Sequence, residues 1–341
     1  MTVRKEPVGM VIYSMPPREA DTRYGGKTWE LASGGLQQMR HHPNKGMRHK
    51  RKAEPRRGKR AMSAQETIEI GATVERTAPP AVGLQRLVRH LVMFSGGVCS
   101  WAAAKRVVAK EGAENVTLLF ADTKMEDEDL YRFLDEAVPN IGATLVRIQD
   151  GRTPWEVMSD HNTIAKPRMD MCSQELKRDL LDKWRNENCA PDATIYVGLS
   201  WDEQHRVDRL QKVCAPWKYA APMAEAPYMS KAQMMDWLTN EGIRPPRLYA
   251  MGFPHNNCGG FCIKAGQAHF AHLLRMMPER YKWHEAKEEE LRQRVGDYSI
   301  LRDRTGGTTK TLTLRQLRDR IESQQTFDAF EWGGCGCAVD A

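Results

Sequence analysis

No run of the 341-residue chain approaches the ~20 consecutive apolar residues that a membrane-spanning helix requires, so no membrane partner is expected. The first residues also lack the charged, then apolar, then small-residue order of a secretion signal, and the expected location is cytoplasmic. Acidic residues are nearly missing from one stretch. Residues 40–60 hold ten Lys and Arg and three His against Glu54 alone, with hardly any apolar periodicity. Such a segment cannot bury enough apolar surface to offset the entropy of ordering it. Residues 1–88 are therefore expected to form a disordered basic arm. No internal repeat is found, which argues against a solenoid or propeller.

The formal net charge of +7 divides unevenly. Residues 1–90 carry 18 basic and 8 acidic groups, leaving 33 basic and 36 acidic groups for the rest. The positive charge belongs to the arm, which either holds nucleic-acid phosphates by counterion release or is a solvated tail. Eight cysteines in a cytoplasmic chain point away from structural disulfides. Cys258 and Cys262 lie four apart and Cys335 and Cys337 two apart, a clustering that favours metal, cluster or thiol chemistry.

Order is expected from His90. Residues 90–94, 116–121, 144–148 and 194–198 are short apolar runs of strand length, separated by helical stretches at 100–110, 127–138, after Thr153, and 173–188. Thr153-Pro154-Trp155-Glu156 carries a capping box with Pro in the first turn. Strands alternating with helices predict an α/β fold, a Rossmann-like parallel sheet over residues 89–215. Beyond residue 213 the strand signal fades, and residues 216–341 are expected to form a helical, Cys-rich C-terminal region that completes the site. Ser230 and Thr313 are expected to cap helices there.

The turn Phe94-Ser95-Gly96-Gly97-Val98-Cys99-Ser100 falls between the first strand and the first helix. A loop in that place turns backbone N–H groups outward, and the helix terminus adds partial positive charge, which together suit a phosphate. Glycines let the phosphate approach the backbone, and Ser95 and Ser100 add hydroxyls. The turn has neither the Gly-Lys-Ser/Thr ending of a Walker A loop nor the GxGxxG order of a dinucleotide fold.

The turn resembles the SGGxxS signature of the PP-loop superfamily, in the branch of phosphoadenylyl-sulfate (PAPS) reductases and related sulfur-transfer proteins. Three further places carry the resemblance over residues 90–340. Asp122-Thr123-Lys124-Met125-Glu126 resembles the family's D-T-x-x-E stretch. Cys172-Ser173-Gln174-Glu175-Leu176-Lys177 is similar to its C-[ST]-x-x-L-K segment. Gly198 to Arg206 (GLSWDEQHR) resembles its G-x-x-x-x-E-x-x-R element. The resemblance implies an adenine nucleotide, PAPS, APS or ATP, bound by Ser95, Gly96, Gly97, Ser100, Asp122, Lys177, Glu203 and Arg206. Four of them have a plainer reading: helix-surface solvation for Lys177 and Arg206, a helix cap for Asp122, and a capping box with Ser200 for Glu203. Departures from the pattern are equally visible. Cys99 stands where ATP-cleaving members carry Asp, Cys172 is single where several reductases have adjacent cysteines, and the reductase Cys-Gly-x-His ending is replaced by Cys335-Gly336-Cys337.

Cys258 and Cys262 flank a tight Gly-Gly turn. With Cys172 and either Cys335 or Cys337, four thiolates suit zinc or a [4Fe–4S] cluster, and the resemblance tilts the choice towards iron–sulfur. The ligand set is then Cys172, Cys258, Cys262 and Cys337. Five candidates for four places leave a thiol for redox chemistry or sulfur relay, so Cys335 and Cys337 are the catalytic candidates. The alternative is reduced, unliganded cysteines. Cys99 reads more readily as a packed residue than as a reactive thiol, Cys189 and Cys214 as packing residues, and His255, His269 and His272 as structural. The implied activity is that of a PAPS reductase-family oxidoreductase with a thioredoxin-like reductant. Its rivals are an ATP- and Mg2+-dependent transferase inserting sulfur into tRNA or DNA, and a non-catalytic nucleotide-binding accessory protein.

Overall fold

The apolar runs pair as a parallel sheet whose central strands carry apolar residues on both sides, as burial between two helical layers demands. In β2 (Val88–Met93), Leu91 packs into one face's core and Val92 into the other's. The computed structural model describes residues 75–76 (backbone only), 87–164, 170–304 and 307–333. The strands are β1 (Glu75–Arg76), β2, β3 (Val116–Asp122), β4 (Thr144–Gln149), β5 (Cys189–Val197) and β6 (Lys218–Ala220), in the order β1-β4-β3-β2-β5-β6. β2 to β6 are mutually parallel, and β1 lies antiparallel on β4. Counted without β1, the parallel sheet has the Rossmann-like order 3-2-1-4-5.

Helices cover both faces. α1 (Val98–Glu111) and α2 (Glu128–Ile141) pack on one side, where Ala102, Ala103 and Ala104 bring α1 close to the sheet. α3 (Pro154–Asp160) begins with the expected Thr153–Glu156 capping box. The helix expected over residues 173–188 runs as α4 (Met171–Ser173), a π-helical turn (Gln174–Asp179) and α5 (Leu180–Asn188). Leu180, Leu181 and Trp184 lie against the opposite face. α6 (Gln204–Val213) leads into β6, a three-residue strand that the fading apolar signal did not predict.

The C-terminal region contains α7 (Lys231–Asn240), α8 (Arg247–Ala250), α9 (Gln267–Met276), α10 (Pro278–Val295) and α11 (Leu314–Glu322). Ser230 and Thr313 both cap as expected, each side chain accepting from the backbone N–H three residues on. An antiparallel pair, β7 (Leu301–Asp303) and β8 (Lys310–Leu312), adds to the expected helices. Buried Glu288 anchors it, its two oxygens accepting from Ile300 N at 2.9 Å and Leu314 N at 2.6 Å.

A charged seam joins this region to the sheet. Asp127, buried as the N-cap of α2, is paired with Arg247 at 2.7 Å and Arg280 at 3.5 Å. Asp129 accepts from the Arg247 backbone N at 2.7 Å. The N-terminus of α2 thus finds its counter-charge in its own carboxylates and lends it to the C-terminal helices. Residues around α7 and α8 are thereby held over the carboxyl ends of β2 and β5.

Candidate functional site

Met93 lies opposite both Leu119 and Val197 in the register, so the turns after β2 and β5 leave the sheet at the same level. The strand order reverses here, the place where open α/β sheets bind ligands. A cavity of about 360 Å³ opens at this point, within the ~300–1,000 Å³ usual for small-molecule sites.

The turn after β2 is closed by its own hydrogen bonds. Gly96 is left-handed at φ 72, a conformation that glycine adopts freely. Ser100 accepts from Gly97 N at 3.2 Å and Ser95 Oγ at 3.3 Å, and donates to Gly97 O at 2.8 Å. Its proton is therefore committed to locking the turn, while exposed Ser95 faces the cavity mouth. Gly198, at the end of β5, lies against the start of α1: a Cβ there would stand 2.7 Å from both the N and Cα of Ser100. That close approach accounts for a glycine at this position.

Ser95, Gly97, Ser100, Lys177, Glu203 and Arg206 all line the cavity, although they come from segments over a hundred residues apart. Glu203 unites the two readings it was given. It accepts from Ser200 N at 3.2 Å in a capping box and also pairs with Arg206. Lys177 Nζ is 3.6 Å from Glu126 and 4.0 Å from Cys258 Sγ. Gly96 supports the turn from below, packed against Leu130.

Asp122 is not among the lining residues. It is buried, accepting from Lys124 N at 2.8 Å, Tyr131 Oη at 3.0 Å and Arg147 Nε at 3.0 Å. Its carboxylate fixes the loop after β3 instead of facing the cavity.

Of the cysteine set, Cys172, Cys258 and Cys262 fall within the described residues, and they are not brought together there. Among the described residues no three His, Cys, Asp or Glu side chains are grouped closely enough to hold a metal ion. Cys172 packs half-buried against the C-terminal core and Cys262 is buried within it, its sulfur accepting from Lys264 N at 3.4 Å. Cys258 is left-handed at φ 50, and its N–H donates to Glu126. Cys335 and Cys337 lie outside the described residues, as does nearly all of the basic arm. The described residues therefore do not fit an iron–sulfur cluster or zinc by themselves. Nor do they fit a protein-held Mg2+ in the cavity: Glu203 is the one lining carboxylate among them, and it is already engaged.

Cys99 lines the cavity, but burial, with Glu203 adding to it, pushes its thiol up to about 12. At neutral pH it is a thiol, in keeping with a packed residue.

The lining residues outside the motifs include four from the C-terminal region. Lys231 opens α7, Tyr249 sits on α8, and His255 and Asn256 lie in the loop beyond. Asn256 is 2% exposed and its Nδ2 donates to Gly96 O at 2.9 Å, tying the C-terminal region to the turn. Burial lowers His255 to about 4, so it is neutral at pH 7. One of the four had a readable sign: a lysine in the first turn of a helix opposes the helix dipole.

No family model matches the sequence, and no curated protein does. Remote likenesses to solved structures include two at low identity. One is to a PAPS reductase from Candida auris in a phosphate complex, at 12% identity and TM-score 0.35, over 48% of this chain and 78% of that one. The other is to an NH3-dependent NAD synthetase from Campylobacter jejuni in complex with nitrate, at 9% identity and TM-score 0.31, over 62% and 85%. At these scores the fold assignment rests on the strand order and its parallel pairings. No helix among the described residues is long and apolar enough to cross a membrane.

Proposed function

We propose that the cavity binds an adenine nucleotide through its phosphates and that the chain is an enzyme of sulfur chemistry, a PAPS reductase-like oxidoreductase. The observation that carries the nucleotide reading is the convergence of the turn, Lys177, Arg206 and Lys231 on one cavity at the sheet's switch point. Backbone N–H groups at a helix start, with cations opposite, are what a phosphoryl group requires.

Between the two forms of sulfur chemistry, the lining residues favour reduction. Cleaving ATP at the α-phosphate builds charge on a leaving pyrophosphate, and position 99 offers a neutral thiol where a carboxylate would help hold its metal. Reduction leaves the α-phosphate intact. A cysteine thiolate attacks the sulfur of the bound adenylyl sulfate, the S–O bond to the phosphate breaks, and the nucleotide leaves with its phosphate oxygen. A second thiol, from the chain or a thioredoxin-like reductant, then attacks the resulting S-sulfocysteine, releasing sulfite and leaving a disulfide. Cys335 and Cys337 are the nucleophile candidates, since the Cys99 thiol is held protonated.

The test is turnover with PAPS, APS and ATP in separate reactions with a dithiol donor. Sulfite with an equivalent of the adenosine phosphate is expected from PAPS or APS. AMP and pyrophosphate from ATP would overturn the reductive form in favour of sulfur insertion. Binding without turnover of any of the three would support an accessory protein.

A further inference from the structure

Building on the nucleotide reading, we propose that Tyr249 and Lys231, from the C-terminal region, form the second half of the phosphate site. Tyr249 supplies a neutral O–H donor and Lys231 an ammonium, both set against the start of α1.

The Tyr249 hydroxyl accepts from Val98 N, the first residue of α1, at 3.3 Å. A Cβ on Gly97 would lie 3.1 Å from that hydroxyl, so the glycine gives the phenol room to reach the turn. Having accepted from the backbone, the hydroxyl keeps its own proton, and no acceptor among the described residues takes it. Burial raises the phenol to about 12, which keeps it a donor at neutral pH. An O–H that already accepts from an N–H is a stronger donor than an isolated one. The partial charge of α1 is thereby relayed one group further into the cavity.

Lys231 is an exposed residue whose ammonium packs over an aromatic ring. Nζ lies 4.3 Å over the Tyr249 ring and donates to Pro254 O. Its place at the first position of α7 sets it against the positive end of that helix, and desolvation holds its pKa below the usual lysine value. An anion in the cavity would relieve both costs. The same cavity carries a separate sign of a ligand that donates hydrogen bonds, which a nucleoside's amino and hydroxyl groups supply and a phosphate oxygen does not. Asn256, 2% exposed, has an Oδ1 with no hydrogen-bond partner, and the buried His255 Nδ1 also has none. The amide cannot be turned round to remove the first, because Gly96 O requires the Nδ2 donor.

The experiment is calorimetric titration of the full chain with AMP and with adenosine, for wild type, Tyr249→Phe and Lys231→Gln. Each loss removes a hydrogen bond to a charged group, so AMP is expected to bind about tenfold more weakly, or worse. Adenosine, which has no phosphate, is expected to bind all three alike. Lys231→Gln changes an exposed residue, so it tests the site even if Tyr249→Phe fails to fold. Unchanged AMP affinity in the variants would overturn this proposal alone. Tighter AMP binding by Tyr249→Phe would overturn it too, showing that the hydroxyl blocks the turn. A wild-type chain that binds neither AMP nor adenosine would overturn the nucleotide reading itself, and this proposal with it.

Discussion

Gly198→Ala places one methyl group between two backbones. The added Cβ would stand 2.7 Å from the N and Cα of Ser100 and 3.0 Å from the carbonyl carbon of Cys99, where ordinary contact begins at 3.4 Å. The start of α1 must then retreat from β5 by about 0.7 Å, and no rotamer relieves the clash, because backbone lies on both sides. Overpacking of this kind costs about 1–3 kcal/mol of stability. The effect on the ligand is separate. Donors that reach a phosphate at ~2.9 Å move out to ~3.6 Å, beyond hydrogen-bonding range. Losing a single charge-assisted bond, worth ~1.5–3 kcal/mol, weakens AMP binding roughly tenfold to a hundredfold. Urea unfolding measures the first quantity and calorimetric titration with AMP the second. A variant that loses stability yet binds AMP as wild type would refute the argument that the turn holds the phosphate. One that loses neither would refute the reading of Gly198 as a close-approach position.

Three further outcomes are expected. Cys99→Ser should keep nucleotide affinity and turnover within about twofold, since a thiol pushed up to about 12 supplies no thiolate at pH 7; a loss of turnover without loss of binding would make Cys99 the nucleophile. Asn256→Ala should leave Gly96 O without its donor, costing about 1–3 kcal/mol in urea unfolding, and should weaken AMP binding as the turn loosens; unchanged values would mean that water replaces the amide. Acid should destabilise the fold through His284, which is lowered to about 3 by burial and accepts from Trp155 Nε1 at 3.0 Å. The unfolded chain takes up that proton below its ordinary value of 6.5 while the native one does not, so this contribution is present above pH 6.5 and is lost towards pH 3. By pH 5 the loss is about 2 kcal/mol. Glu288 has the opposite sign: raised to about 7 by burial, it favours the fold as pH falls from 8 towards 5. Urea midpoints at pH 7 and pH 5 for wild type and His284→Phe isolate the histidine, and equal pH dependence in the two would refute its assignment.

Local chemistry explains which elements were legible in the sequence. β2, β3 and β5 were readable as apolar runs with residues in the cores on both faces, β4 because buried Val146 and Ile148 alternate with partly exposed residues, and Thr153, Ser230 and Thr313 announced their helices because a cap is a bond within four residues. β6, β7 and β8 are three residues each, too short for periodicity. They exist because an existing sheet edge or the Glu288 clamp supplies partners. Asp122 shows the limit of motif reading: its position at the strand end suggested the nucleotide, but Arg147 and Tyr131, both brought to it by folding, occupy its carboxylate.

The sequence alone determined the α/β sheet and the turn after β2, because strand burial, helix capping and glycine geometry act over a few neighbouring residues; Lys177, Glu203 and Arg206 were named through the family resemblance, and they line the same cavity as Ser95, Gly97 and Ser100. Only the tertiary structure decided that Lys231, Tyr249, His255 and Asn256 face the same cavity. Their placement depends on the ion pairs of Asp127 with Arg247 and Arg280, which lie 120 and 153 positions away. A local pattern in the chain carries no trace of a partner at that distance.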